Sequence, residues 1–257
     1  MSLSRIELLE RVDAIALDAG RVVMEVYATD FGVQAKDDAS PVTAADQRAE
    51  ALIVAALRAL APGIPIVAEE AVAAGHVPVI GHRFWLVDAL DGTKEFIRRN
   101  GDFTVNIALV EDALPVLGVV FAPARDELYG GAAGSGAYLR RHGDRRSIGC
   151  RPIPPEGHTV VSSALHGDRG QLEDFLTGRL VASHRAIGSS LKLCLVAAGE
   201  ADVYPRFGRT MEWDIAAGHA VLAAAGGAVN DLAGVPLRYG KPGFENPAFV
   251  AWGLCPP

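Results

Sequence analysis

The chain has 257 residues, half of them hydrophobic and 21% charged, with 28 glycines and 15 prolines; these proportions exclude disorder, collagen and a coiled coil and leave a globular protein long enough for two packed halves. With 24 Lys and Arg against 31 Asp and Glu, the net charge is −7, so no chain-wide positive field attracts nucleic acid or an anionic membrane, and a polyanionic substrate needs local cations or bound metal. Cys150, Cys194 and Cys255 are odd in number and form no CxxC pair, which argues against a disulfide framework or a zinc ribbon and for a reducing cytoplasm.

The opening MSLSRIELLERVDA has no basic region leading into an apolar core, so no secretory leader is expected. Residues 4–27 place Ile6, Leu9, Val12, Ile15, Val22 and Val26 at helical spacing, and a second such segment runs over 43–60 until Pro62 and Gly63 stop it. The longest apolar stretch, 51–68, is broken by Arg58, Pro62, Gly63 and Pro65, which predicts a helix, a turn and a strand in place of a membrane span. Two short apolar runs follow, 64–68 and 84–87, each leading at once into acid: Glu69 and Glu70, then Asp88 and Asp91. They read as buried strands with carboxylates at their ends. Strands at 103–110, 116–122, 127–130 and 137–140, separated by Pro and Gly, predict a sheet of hairpins. Three prolines within 151–157 divide the chain into 1–150 and 151–257. In the second part, strands at 159–163, 181–186, 201–205 and near Val229 and Phe249 alternate with helices around Leu172, over 190–198 and over 214–225. The fold class is mixed α/β.

The most informative stretch is WLVDALDGTKEF, residues 85–96. Asp-Gly after a strand is an ordinary turn. Two carboxylates on a rigid strand end, with the Leu90 carbonyl between them, are also suited to hard divalent cations, and Gly92 lets a phosphate approach backbone N–H groups. Asp46, three residues after Thr43, reads equally as part of a capping box, Glu69 as a solvated strand end, and Asp214 as an acid favoured at a helix start. What sets these acids apart is that all five stand at element boundaries. Were they to converge, two carboxylates about 5 Å apart would repel by roughly 3 kcal/mol at an effective dielectric near 20, and bound cations would remove that repulsion.

Glu69, the Asp88–Thr93 motif DALDGT and Trp213-Asp214 together resemble the inositol monophosphatase superfamily of metal-dependent, lithium-sensitive phosphatases. PVTAADQ (41–47), DGTKEF (91–96), GSSLKLCLVAAGEADVYPRFG (188–208) and WDIAAGHAV (213–221) are similar to its bacterial bisphosphate-nucleotidase branch, the CysQ type. The resemblance implies a layered α/β/α/β/α sandwich, with 1–150 carrying the main metal loops and 151–257 supplying substrate contacts and the last ligand. It implies two or three Mg²⁺ ions: one on Glu69, Asp88 and the Leu90 carbonyl, a second on Asp88, Asp91 and Asp214, and a weaker third near Glu69. Asp46 and Thr93 would orient and deprotonate a water, Glu69 assisting, with no covalent intermediate. Gly92, Thr93, Gly188, Ser189, Ser190, Lys192, Arg206 and Asp214 would contact substrate.

The implied reaction is hydrolysis of adenosine 3′(2′),5′-bisphosphate to AMP and phosphate, extending to 3′-phosphoadenylyl sulfate, in sulfate assimilation and nucleotide recycling. The implied partner is this small nucleotide, with no nucleic acid polymer, a homodimer as the assembly, and a cytoplasmic location that includes peripheral attachment to the inner membrane. Two departures stand out: Ala89 replaces the usual Pro of Asp-Pro-Leu-Asp, and Ser162-Ser163-Ala164-Leu165-His166 replaces Ser-Arg-Ser-His. Phosphatases of inositol or small sugar phosphates, and a noncatalytic metal or nucleotide binder, are the rival readings. Seven histidines without HExxH or HxxxH spacing give no zinc site, and GxSxG, GxGxxG after a strand and GxxxxGK[ST] are missing. Trp213, Tyr204 and Phe207 are candidates for stacking on an adenine, or ordinary core residues.

Overall fold

Ser4 opens the first helix with a capping box, its hydroxyl accepting from Glu7 N–H while the Glu7 carboxylate accepts from Ser4 N–H. In this computed structural model, which describes residues 3–29, 41–163 and 169–254, that helix is α1 (Arg5–Tyr27) and the next is α2 (Pro41–Leu60). The chain continues through β1 (Ile66–Ala68), α3 (Glu69–Ala73), β2 (Arg83–Asp91), α4 (Thr93–Ile97), β3 (Thr104–Glu111), β4 (Leu114–Ala122), β5 (Glu127–Ala132), β6 (Gly136–Arg141) and β7 (Asp144–Ile148). Among the described residues these strands form a seven-stranded sheet in sequential order, antiparallel throughout except for the parallel pair β1 and β2. The hairpin sheet read from the sequence is therefore present, extended by β7, whose polar text DRRSI carries no apolar signal.

The second part contains β8 (His158–Ser163), α5 (Arg169–Leu176), β9 (Val181–Ile187), α6 (Leu191–Ala197), β10 (Val203–Arg206), β11 (Thr210–Met211), α7 (Glu212–Ala224), β12 (Ala228–Asp231), β13 (Glu245–Asn246) and β14 (Phe249–Trp252). Its main sheet has the order β12-β14-β10-β8-β9. The layers follow from what each helix buries. One apolar cluster joins α1 and α2 to the outer face of the first sheet; a second joins α6 and α7 to the inner faces of both sheets; a third packs Phe175 and Leu176 of α5 on Val160, Val203 and Val250. This is the α/β/α/β/α sandwich. Because α7 lies between two sheets, it is buried on nearly every side and has no polar stripe. It sits directly on the first sheet at Gly118, where an added Cβ would stand 2.3 Å from the Ala217 carbonyl oxygen. Among the described residues no helix is long and apolar enough to cross a membrane.

Candidate active site

Three pieces of backbone geometry assemble the acids. Parallel pairing of β1 with β2 aligns Ala68 with Val87, so the next residue of each strand, Glu69 and Asp88, emerge side by side at the strand ends. Residues three apart on a regular strand face opposite ways, yet β2 pairs Asp88 with Asn106 and Asp91 with Thr104, one residue too many for its partner. That bulge at Ala89 and Leu90 returns Asp91 to the Asp88 side, and Leu90 N–H closes the turn on Asp88 Oδ1 at 2.9 Å. Asp214, in the first turn of α7, accepts from Met211 N–H at 2.8 Å through Oδ2. Glu69, Asp88 and Asp214 each then offer a carboxylate oxygen within 4.8 Å of the others.

The electrostatics of this cluster are those of a cation site. Asp88 is only 1% exposed, and burial, reinforced by Glu69, Asp91, Asp214 and Asp46, pushes its carboxyl far above the usual range. Burial first and neighbouring acids second push Glu69 and Asp214 up to about 8. Asp91 is also raised by burial, held back by Lys192 and by Ser190 N–H, which donates to Asp91 Oδ2 at 2.7 Å. Asp46 is pushed to about 8 by burial and then by Glu70 and Glu50, and its Oδ1 is buried with no hydrogen-bond partner among the described residues. An all-oxygen donor set from three elements, with an orphaned carboxylate oxygen behind it, fits hard divalent cations such as Mg²⁺.

Asp46 and Glu69 also correct their plainer sequence readings. The helix begins at Pro41, so Asp46 lies inside α2 and is no capping residue. Glu69 is not a solvated strand end but the first residue of α3, whose N–H groups at Glu70 and Ala71 are capped by the Glu50 carboxylate at 2.8 and 2.9 Å. Glu50 escaped the sequence reading, although an acid four residues after Asp46 on the buried face of α2 was a visible signal.

A cleft of about 600 Å³ opens in front of the cluster, lined by Glu69, Asp91, Gly92, Thr93, Ser189, Ser190, Lys192, Arg206 and Asp214 among others. Asp46, Asp88, Leu90 and Gly188 do not line it. Lys192 is no surface charge: it is 4% exposed, it donates to the Ile187 and Ser189 carbonyls, and burial lowers it to about 8 against the pull of Asp91. Among the described residues no carboxylate comes within 4.0 Å of its Nζ. Arg206 ends β10 with its guanidinium donating to the Gly208 and Arg209 carbonyls at 3.1 and 2.9 Å.

The Gly188-Ser-Ser loop caps α6 through Ser189, whose Oγ accepts from Leu191 N–H at a long 3.4 Å, while Ser190 makes no side-chain cap. Ser190 Oγ, buried, donates to Asn106 Oδ1 at 2.7 Å and meets Thr104 Oγ1 at 2.9 Å, tying the second part of the chain to β3. Trp213 packs on Phe244 and Phe207 on Phe175, so both serve packing, while Tyr204 lines the cleft beneath Lys192. Ala164, Leu165, His166 and Cys255 lie outside the described residues; Ser162 meets His184 Nε2 at 2.8 Å and Ser163 lines the cleft. A Cβ at Gly188 would stand 2.5 Å from Glu95 Cγ and 2.8 Å from the Asp102 carbonyl oxygen. Gly188→Ala is therefore expected to lower the melting temperature by roughly 3–10 °C and to raise KM about tenfold by displacing the Lys192 loop; an unchanged KM would sever that loop from the substrate.

Layered sandwich and carboxylate cluster together define a metal-dependent phosphatase architecture, and the comparisons agree. The model of the inositol monophosphatase family matches residues 6–252. The chain is 47% identical over 245 residues to the 3′(2′),5′-bisphosphate nucleotidase CysQ of Escherichia coli O157:H7, covering 94% of this chain and 98% of that one. Its fold superposes on the crystal structure of CysQ from Bacteroides thetaiotaomicron with a TM-score of 0.84 at 36% identity, over 96% and 97% of the two chains. It superposes on an inositol monophosphatase from Anabaena with a TM-score of 0.75 at 27% identity, over 96% and 90%. The chain belongs to the inositol monophosphatase family, whose enzymes are metal-dependent phosphatases.

Proposed function

We propose that this protein is a Mg²⁺-dependent 3′(2′),5′-bisphosphate nucleotidase that hydrolyses adenosine 3′,5′-bisphosphate to AMP and phosphate. The observation that carries the substrate choice is Lys192: a buried ammonium on the same cleft as the carboxylate cluster, with no carboxylate within 4.0 Å among the described residues. Such a charge is suited to a second phosphate that is held and not hydrolysed, with Arg206 beside it. The names of the relatives support the same substrate.

In this reading Glu69, Asp88, the Leu90 carbonyl, Asp91 and Asp214 would hold two Mg²⁺, and Glu69 would help hold a third, weaker one. Mg²⁺ bound there would stabilise the charge developing in the transition state and lower the pKa of the attacking water. The chain does the positioning. Asp46 and Thr93 orient the attacking water and take its proton, and Glu69 keeps it in line with phosphorus. Gly92, Gly188, Ser189 and Ser190 shape the phosphate-facing wall, while Lys192 and Arg206 fix the second phosphate. The metal loops belong to 1–150, and 151–257 brings Asp214 and the cations. A homodimer in the cytoplasm completes the proposal, checked by sedimentation.

Phosphate release from adenosine 3′,5′-bisphosphate, AMP and inositol 1-phosphate, each with Mg²⁺ and with chelator, tests the reading. Strong turnover of the bisphosphate alone is expected. Preference for the inositol ester would keep the metal centre and discard the nucleotide. Lys192→Met should lower kcat/KM for the bisphosphate roughly 100-fold, the weight of a charge-assisted contact in a buried site, and leave any residual inositol 1-phosphate turnover within about threefold. Equal losses on both substrates would assign Lys192 to packing.

A further inference from the structure

One buried carboxylate in the cleft belongs neither to the metal cluster nor to the cation pair. Glu95, in α4, lines the cleft and is 7% exposed. Buried acids of the described chain outside the cleft and the carboxylate cluster with Asp46 are anchored: Asp13 by Tyr138, Glu50 by two N–H groups, Glu127 by Tyr129 and Arg141, Asp202 by Arg151, Glu212 by Lys241. The Glu95 carboxylate has no hydrogen bond and no ion pair within 4.0 Å among the described residues. A buried acceptor left open toward a cleft has its partner in whatever fills the cleft.

Its position says what that partner is. A Cβ at Gly92 would stand 3.4 Å from Glu95 Oε2, and one at Gly188 2.5 Å from Glu95 Cγ. The side chain is lodged between the glycine of the Asp91 and Thr93 loop and the glycine that opens the Lys192 loop. In the proposed function, on which this inference rests, the first loop faces the phosphate that is cleaved and the second the phosphate that is kept. A carboxylate between two anion positions repels a third anion and favours a neutral hydrogen-bond donor. Between the two phosphates of a nucleoside bisphosphate lies the sugar, whose remaining donor is the hydroxyl next to the scissile ester.

We propose that Glu95 is a specificity-determining residue that accepts a hydrogen bond from the unesterified sugar hydroxyl beside the scissile phosphate and excludes sugars carrying a further phosphate there. The test compares kcat/KM for adenosine 3′,5′-bisphosphate and its 2′-deoxy analogue. The wild-type protein is expected to prefer the ribose form roughly 30-fold. Glu95→Ala should collapse the ribose-to-deoxy ratio of kcat/KM to within about threefold of one, the ratio cancelling any effect on the phosphates that both substrates share. Glu95→Gln, which keeps volume and an acceptor but not the charge, should retain an intermediate preference. Equal use of both substrates by the wild-type protein would overturn the assignment while leaving the nucleotidase intact. A Glu95→Ala variant that loses both activities in parallel would make the residue structural, and turnover of neither bisphosphate by the wild-type protein would remove the nucleotidase reading and this inference with it.

Discussion

Replacing Asp88 with asparagine is expected to abolish Mg²⁺-dependent phosphate release and, at the same time, to raise the melting temperature of the metal-free protein. The two effects have one origin. Asp88 is 1% exposed and faces Glu69, Asp91, Asp214 and Asp46, so in chelator near neutral pH it must either hold a proton that the unfolded chain releases or sit as a buried charge among like charges, and both cost stability. Asparagine retains the carbonyl that accepts from Leu90 N–H at 2.9 Å and removes the ionisable group. Relief of about 1–2 kcal/mol would raise the melting temperature in EDTA by roughly 2–8 °C for a chain of this size. In the proposed function Asp88 would be the anionic donor shared between the metal positions, so kcat/KM should fall by about 10³ or more. Calorimetry in EDTA with a phosphate-release assay in Mg²⁺ reads both. A variant that keeps a tenth of the activity, or that melts below wild type in EDTA, would remove Asp88 from the metal centre.

The metal-free protein should also become less stable as pH rises, and Mg²⁺ should cancel that loss. Glu69, Asp46 and Asp214 are pushed to about 8 in the folded chain, burial leading in each, and Asp88 and Asp91 move in the same direction, whereas unfolded carboxyls titrate near 4. Below about pH 4 both states are protonated and the groups contribute nothing to the pH dependence. Between about pH 4 and 8 the native state holds more protons than the unfolded one, so unfolding gains with each increment of pH and the loss levels off above about 8. Divalent cations compete with those protons. The rise in melting temperature on adding Mg²⁺ should therefore be small near pH 5 and large near pH 8, where a concentration about 100-fold above Kd is worth roughly 2.7 kcal/mol or 5–11 °C. Scans from pH 5 to 8.5 with EDTA or Mg²⁺ would contradict the metal centre if the increment were flat or shrank with pH.

Much of this was legible in the residues themselves. The stripe of Leu9, Val12 and Val23 on α1, the apolar run before Asp88, and the turn residues between β3 and β6 act within a few positions of one another, and backbone preference plus burial period suffices to read them. The donor types were legible for the same reason: carboxylates at strand ends and helix starts, with Gly92 and Thr93 adjoining, are local text. The chain alone was silent wherever a residue's meaning depends on a partner far along it. Only the parallel register of β1 on β2 brings Glu69 beside Asp88, and only the bulge opposite Asn106 returns Asp91 to the same side. Asp46 stands near the carboxylate cluster and is not a cap because α2 begins earlier and its inner face meets α3. β7 holds its place through pairing with β6 despite a polar sequence. Lys192 and Glu95 have the composition of surface residues. Their burial on one cleft, and the missing partner that gives Glu95 its interest, arise from the packing of α4 and α6 across a sequence separation that no local pattern spans.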